Sequence, residues 1–198
     1  GDTIFFIAAP EKAACIYAGQ IRNELGSRLD LLEKNAYRFC YINDFPMYEI
    51  DEETGKLGFT HNPFSMPQGG LEALNEKDPL DILAYQYDIV CNGVELSSGA
   101  VRNHDMEIME KAFDIAGYDK ETLKDKFGAL YNAFQFGAPP HAGMAPGVDR
   151  MIMLLRNEEN IREIIAFPMS GTAQDLMCGA PNEITEQQLR EGHIKVRD

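Results

Sequence analysis

Residues 84–102 read Ala-Tyr-Gln-Tyr-Asp-Ile-Val-Cys-Asn-Gly-Val-Glu-Leu-Ser-Ser-Gly-Ala-Val-Arg. From Ala84 the stretch alternates: Tyr85, Tyr87, Ile89 and Cys91 fall on one face and Gln86, Asp88 and Val90 on the other, which is the period of a strand. Asn92-Gly93 follows, the dipeptide that best tolerates two positive φ values, and Val94-Glu95-Leu96 resumes the run. The stretch predicts a β-hairpin.

Upstream, Tyr37–Ile42 predicts a strand that breaks near Asp44-Phe45-Pro46 and resumes to Ile50, with a polar turn over 51–56. Residues 61–80, rich in Asn, Pro, Gly and Asp, show no period and predict a long loop, a kind of segment that is often functional. Downstream, helices are expected over about 104–116 and from Asp119, with Leu123, Phe127, Leu130, Tyr131 and Phe134 as a buried stripe. A Gly/Pro-rich turn over 137–147 leads into an apolar helix, Val148–Leu155. Asn157 is expected to cap a short helix through Ile161, and 164–167 to form a strand. Thr185 and Gln188 predict a capping box on a last helix ending at Gly192. At the other end, residues 3–9 predict a buried strand and Glu11–Leu29 a helix, together a small unit of their own.

The chain has 198 residues, 44% hydrophobic and 25% charged, which suits a globular protein with one substantial core. Eighteen basic against 32 acidic residues leave a net charge of −14, which argues against a broad nucleic-acid-binding face. Four dispersed cysteines form no CxxC pair and predict reduced core thiols rather than a zinc module or a disulfide scaffold. No apolar run approaches the ~20 residues of a membrane span and no secretory signal layout is present, so the expectation is a soluble, cytoplasmic protein. An opening on Gly1-Asp2-Thr3 without an initiator Met reads as a segment starting inside a longer protein.

Three segments carry polar groups with no evident structural duty. In Phe59–Pro67, His61 and Asn62 precede a proline that holds the backbone extended, a layout that fits a cleft or an ordinary turn. In 92–102, Glu95 is a strand carboxylate able to hold Mg²⁺ together with substrate phosphates, and Arg102 is a five-donor fork suited to a carboxylate. A Glu–Arg pair on a solvated sheet edge would read the same way. In 143–150, glycines before a helix leave its first amides free, and Arg150 in the first turn faces an unfavourable dipole, so it needs a partner such as a nucleotide phosphate. No GxxxxGK[ST], GxGxxG, GxSxG or HExxH occurs.

Taken together, Gly-Met-Ala-Pro-Gly-Val-Asp-Arg with its apolar helix (143–155) resembles the third motif of class II aminoacyl-tRNA synthetases. Residues 138–143 and 165–168, the His61-Asn62-Pro63-Phe64 loop and the Asn92-Gly93-Val94-Glu95 hairpin with Arg102 are similar to the bacterial-type aspartyl branch. The resemblance implies an α+β fold, an antiparallel β-sheet flanked by helices, representing part of the class II catalytic core. It implies that 1–32 is the tail of an inserted domain and 33–198 the C-terminal part of the catalytic domain. It further implies ATP and Mg²⁺ as cofactors, with L-aspartate and tRNA as partners, a homodimeric full-length enzyme and no membrane. Arg150 would contact the γ-phosphate and adenine side of ATP, helped by Gly147, Val148 and Asp149. Glu95 would hold ATP through Mg²⁺, Arg102 would clamp the aspartate side chain and His61 would reach the amino acid.

Two positions depart from the bacterial pattern. Asn62 stands where many members carry a second His, and Ser97-Ser98-Gly99-Ala100 is closer to the archaeal and eukaryotic form. The implied activity is that of an aspartate–tRNA ligase, with this segment incomplete by itself. The alternatives are an ammonia-dependent asparagine synthetase, an asparaginyl relative and a non-catalytic paralogue acting in binding or regulation.

Overall fold

The first ten residues carry no regular structure, and Glu11–Arg28 forms helix α1. The computed structural model describes residues 1–197; Gly1–Arg38 is one unit and a second begins at Phe39. The strand expected over 3–9 does not form. Ile4, Phe5 and Phe6 are exposed, and among the described residues no strand pairs with them, so apolar character alone leaves their backbone groups without a ladder. Helix α1 follows the expected span but buries none of its residues within the unit.

In the second unit, β1 (Phe39–Pro46) ends at Pro46 and the chain resumes extended structure at Tyr48 through Ile50, so the expected break falls at Met47, with an irregularity already present upstream. Asp44 adopts a positive φ of 60°, and the pairing register shifts between Asn43 and Phe45, so a bulge absorbs the irregular residue without ending the strand. Strands β2 (Tyr48–Ile50) and β3 (Leu57–Phe59) form a two-stranded ribbon around the 51–56 turn. The supposed loop 61–80 contains helix α2 (Gly70–Glu76) and a 3₁₀ turn at Pro79–Asp81. Two turns of helix are too short to display a period, and their start is set by Gly69 at φ 85°, where a Cβ would lie 2.9 Å from the Ala73 Cβ.

The predicted hairpin forms as β4 (Leu83–Cys91) and β5 (Val94–Val101), with Asn92 and Gly93 at φ 51° and 82°. Helix α3 (Met106–Ile115) is capped by Asp105, and α4 (Lys120–Phe134) by Asp119, whose side chain accepts the Thr122 amide. The Gly/Pro-rich turn then yields a strand, β6 (Ala142–Pro146), which sequence pattern does not reveal because β5 supplies its partner groups. The four-stranded sheet has the order β1-β4-β5-β6, antiparallel throughout.

Helix α5 (Val148–Arg156) packs on β5. Asn157 terminates it in the left-handed region at φ 54° instead of opening the next element; Asn160 caps the 3₁₀ turn Ile161–Glu163. Asn serves both ends of helices, so identity alone could not choose. The strand expected over 164–167 does not form: Phe167 is exposed, and among the described residues no strand pairs with this segment. Helix α6 (Glu186–Glu191) carries the predicted capping box of Thr185 and Gln188. Among the described residues no helix is long and apolar enough to cross a membrane.

The core lies at one end of the sheet. Met47, Tyr48, Leu74, Ile82, Ala84 and Ala112 form one cluster, and Met109, Phe113, Leu123 and Tyr131 a second. Phe59 stacks on Tyr48 and tilts against Phe113, bridging them. The Tyr48 hydroxyl donates to Ala112 O at 2.9 Å, and burial pushes its pKa well above the tyrosine norm. Of the four cysteines only Cys91 is buried; Cys15, Cys40 and Cys178 are exposed, correcting the expectation of core thiols. By contrast, Phe39, Tyr41 and Ile42 of β1 are exposed.

Glu110 ties α3 to α4 by accepting from Tyr131 OH and from Lys120 Nζ. Partial burial pushes the Glu110 carboxyl up, but the hydrogen bonds from Lys120 and Tyr131 outweigh it and leave its pKa lowered. A lowered folded value means that the contribution, small for so exposed a pair, is complete above the ordinary carboxylate range. It fades as pH falls through the lowered value. Thermal unfolding of the native protein and Glu110→Gln should therefore differ at neutral pH and converge in acid; a constant gap would contradict the linkage.

Candidate active site

The hairpin brings the site together through a defect in its own ladder. Ile89 pairs with Ser97 but Val90 pairs with Glu95, so Leu96 is one residue too many on β5. With strict alternation Glu95 and Arg102 would point to opposite faces, since their positions differ by an odd number. The bulge puts Glu95 on the same face as Ser98 and Arg102, while Leu96 is buried. Opposite them on β4 stand Gln86, paired with Ala100, and Asp88, paired with Ser98.

These residues line a cavity of about 570 Å³, together with His61 and Asn62 from the loop before α2, Phe45 of β1 and Gly143–Ala145 of β6. The loop is shaped by Asn62, whose Oδ1 accepts the Phe64 amide at 2.9 Å across Pro63. Its departure from histidine therefore serves the backbone of the loop. The His61 ring meets the Phe45 ring edge-on at 5.1 Å.

Arg102 is anchored through its backbone: its amide donates to His141 O at 2.9 Å, and the neighbouring Asn103 amide donates to Phe64 O at 2.7 Å. Among the described residues its guanidinium has no carboxylate partner. Glu95 pairs instead with Arg150, whose Nη1 donates to Glu95 O at 2.7 Å and to Oε1 at 3.2 Å. Arg150 in the first turn of α5 thus has the partner its position demands. Both side chains remain nearly half exposed, 45% and 47%, so the pair is screened and adds little stability.

Gly147 opens α5 with no side-chain cap, its own amide donating to Leu96 O at 2.7 Å. Of the seven residues singled out from sequence, His61, Glu95 and Arg102 line the cavity, and Arg150 joins it through Glu95. Gly147, Val148 and Asp149 lie beside it and outside its lining.

Sequence reading missed Asp88 and Gln86 as site residues. Burial pushes the Asp88 pKa up, the charge of Glu95 pushes it further, and His61 opposes both. The alternation on β4 puts Gln86 and Asp88 on one face, but which face lines the cavity is set by the pairing with β5. Gly99 lets the β6 backbone come close: an added Cβ would sit 2.3 Å from Gly143 O and 2.5 Å from the Tyr87 ring. Tyr87 OH donates to that same carbonyl at 3.0 Å. Gly99→Ala should cost ~1–3 kcal/mol by forcing β5 and β6 apart, read as a lowered unfolding midpoint; an unchanged midpoint would show that β6 yields freely.

A family profile described as class II tRNA synthetases (D, K and N) matches residues 11–171. The chain belongs to this family. The class II chain is 61% identical over 197 residues to an aspartate–tRNA ligase of Streptomyces avermitilis, covering 100% of this chain and 34% of the relative. It is 60% identical over 195 residues to an aspartate–tRNA(Asp/Asn) ligase of Zymomonas mobilis, covering 98% and 33%. The chain thus spans about a third of the length of the curated relatives it matches. Among solved structures it is similar to an aspartyl tRNA synthetase from Entamoeba histolytica, with a TM-score of 0.52 and 23% identity over 88% of this chain and 29% of the other. At that identity the likeness speaks to the fold, an α+β class II core.

Proposed function

We propose that this chain supplies the amino-acid and ATP pocket of an aspartate–tRNA ligase, which joins L-aspartate to ATP as aspartyl-adenylate and passes it to the 3′ end of tRNA. The observation that carries the reading is the polarity of one cavity: an unpaired guanidinium, Arg102, at one end and two carboxylates, Asp88 and Glu95, towards the other. A dicarboxylic amino acid needs the first and a cation-bound triphosphate suits the second.

Arg102 holds the aspartate side-chain carboxylate, and His61 reaches the amino acid from the loop. The α-carboxylate attacks the α-phosphorus of ATP and pyrophosphate leaves. That carboxylate is already ionised, so no general base is required, and catalysis consists of positioning and charge neutralisation. Arg150, with Gly147, Val148 and Asp149 beside it at the uncapped start of α5, serves the γ-phosphate and adenine side of ATP.

The donor set fits Mg²⁺: Glu95 and Asp88 are hard oxygen ligands lining the same cavity. Among the described residues no cluster of three or more His, Cys, Asp or Glu side chains that could hold a metal ion by itself occurs. When bound, it would neutralise charge developing on the triphosphate.

In this reading residues 1–32 are the tail of an inserted domain and 33–198 the end of the catalytic domain of a cytoplasmic homodimer. The remaining length of the relatives would hold the tRNA-gripping surface, consistent with a net charge of −14 here. The test is aspartate-dependent ATP–pyrophosphate exchange by the complete enzyme carrying this chain; exchange driven by asparagine, or by no amino acid, would overturn the reading.

A further inference from the structure

Gln86 is a polar side chain only 6% exposed, on the floor of the cavity, yet it takes little part in holding the fold. Its Nε2 donates to Asn62 O at 3.4 Å, a long bond. A carbonyl accepts only, so this contact assigns the nitrogen to the Asn62 side and leaves Oε1 as the other end. Among the described residues no donor meets that oxygen. That oxygen is open to the cavity, where a ligand that carries a donor can reach it.

Its place along the strand limits what that ligand can be. Gln86 is paired with Ala100, one side-chain repeat from Arg102 along β5, and stands one repeat from Asp88 along β4. It therefore lies between the guanidinium that suits a carboxylate and the carboxylates that suit the triphosphate. Aspartate carries two carboxylates, which only accept at neutral pH, and one ammonium, its sole donor group.

We propose that Gln86 Oε1 accepts a hydrogen bond from the α-ammonium of the bound amino acid, making Gln86 a substrate-binding residue; the assignment rests on the aspartate reading above. Arg102 fixes the side-chain end of the substrate, Gln86 fixes the amino group, and the two together aim the α-carboxylate toward the ATP side. Asn62 contributes by holding the amide in that orientation through its main-chain carbonyl.

The experiment compares aspartate with succinate, the same dicarboxylate without the ammonium, in the complete enzyme. Gln86→Met keeps the length of the side chain and removes the acceptor. It should raise the KM for aspartate about 10- to 100-fold, the range for a hydrogen bond to a charged group, with the KM for ATP nearly unchanged. The inhibition constant of succinate should stay where it is, because succinate has nothing to offer Oε1. Gln86→Leu should give the same split and covers a folding failure of the first variant. Equal weakening of aspartate and succinate would show that Gln86 merely supports the loop at Asn62, and an unchanged aspartate KM would exclude contact; either overturns the proposal. A native enzyme that activates some amino acid other than aspartate would instead overturn the functional reading on which it rests.

Discussion

Replacing Arg150 by alanine in the complete enzyme is expected to slow aspartyl-adenylate formation at least ~100-fold, the scale seen when one preorganised charge is removed from a transition state. The effect has two sources in the structure. The guanidinium sits at the first turn of α5 beside amides that no side chain caps, where a phosphate gains from both the charge and the helix terminus. It also donates to the carboxylate and the main-chain carbonyl of Glu95, so its loss frees the residue proposed to share Mg²⁺ with ATP. Stability should barely change, because the pair is nearly half exposed. The check is pyrophosphate exchange alongside thermal unfolding: slow exchange in a normally stable protein supports the role, and near-native exchange refutes it.

The second large effect concerns Arg102. Arg102→Gln should raise the KM for aspartate on the order of 100-fold or more, since a charge-assisted fork is replaced by a single neutral amide. The KM for ATP should move little, because only the amino acid offers a carboxylate to that end of the cavity. Its main chain is held by His141 O, with Asn103 bonded to Phe64 O, contacts that a glutamine keeps, so a change of fold is not expected to intrude. Equal rises for both substrates would place Arg102 on the phosphate side and remove the distinction between the two ends of the pocket.

The legible parts of the molecule are those whose signal is local. Asn92-Gly93 accommodates two positive φ values wherever it occurs, and alternation from Ala84 needs no partner to be seen. Asp105, Asp119 and Thr185 cap the helices that follow them through bonds spanning two or three residues. The family was likewise readable, from 143–155 and its companion motifs. The misjudged parts are those whose backbone groups are completed from far along the chain. Strand β6 exists because β5 lies beside it, whereas 3–9 and 164–167 have strand-like composition and, among the described residues, no partner strand.

What the sequence determined by itself was thus the hairpin, the capped helices, the membership of class II and three of the residues that line the cavity. Only the tertiary structure decided that those three share a cavity, and that Gln86 and Asp88 belong with them. The physical reason lies in one extra residue on β5. A strand alternates its side chains strictly, so Glu95 and Arg102 read as facing apart; the bulge at Leu96 turns one half of the strand over, and a bulge is set by pairing with β4, not by the residues of β5 alone.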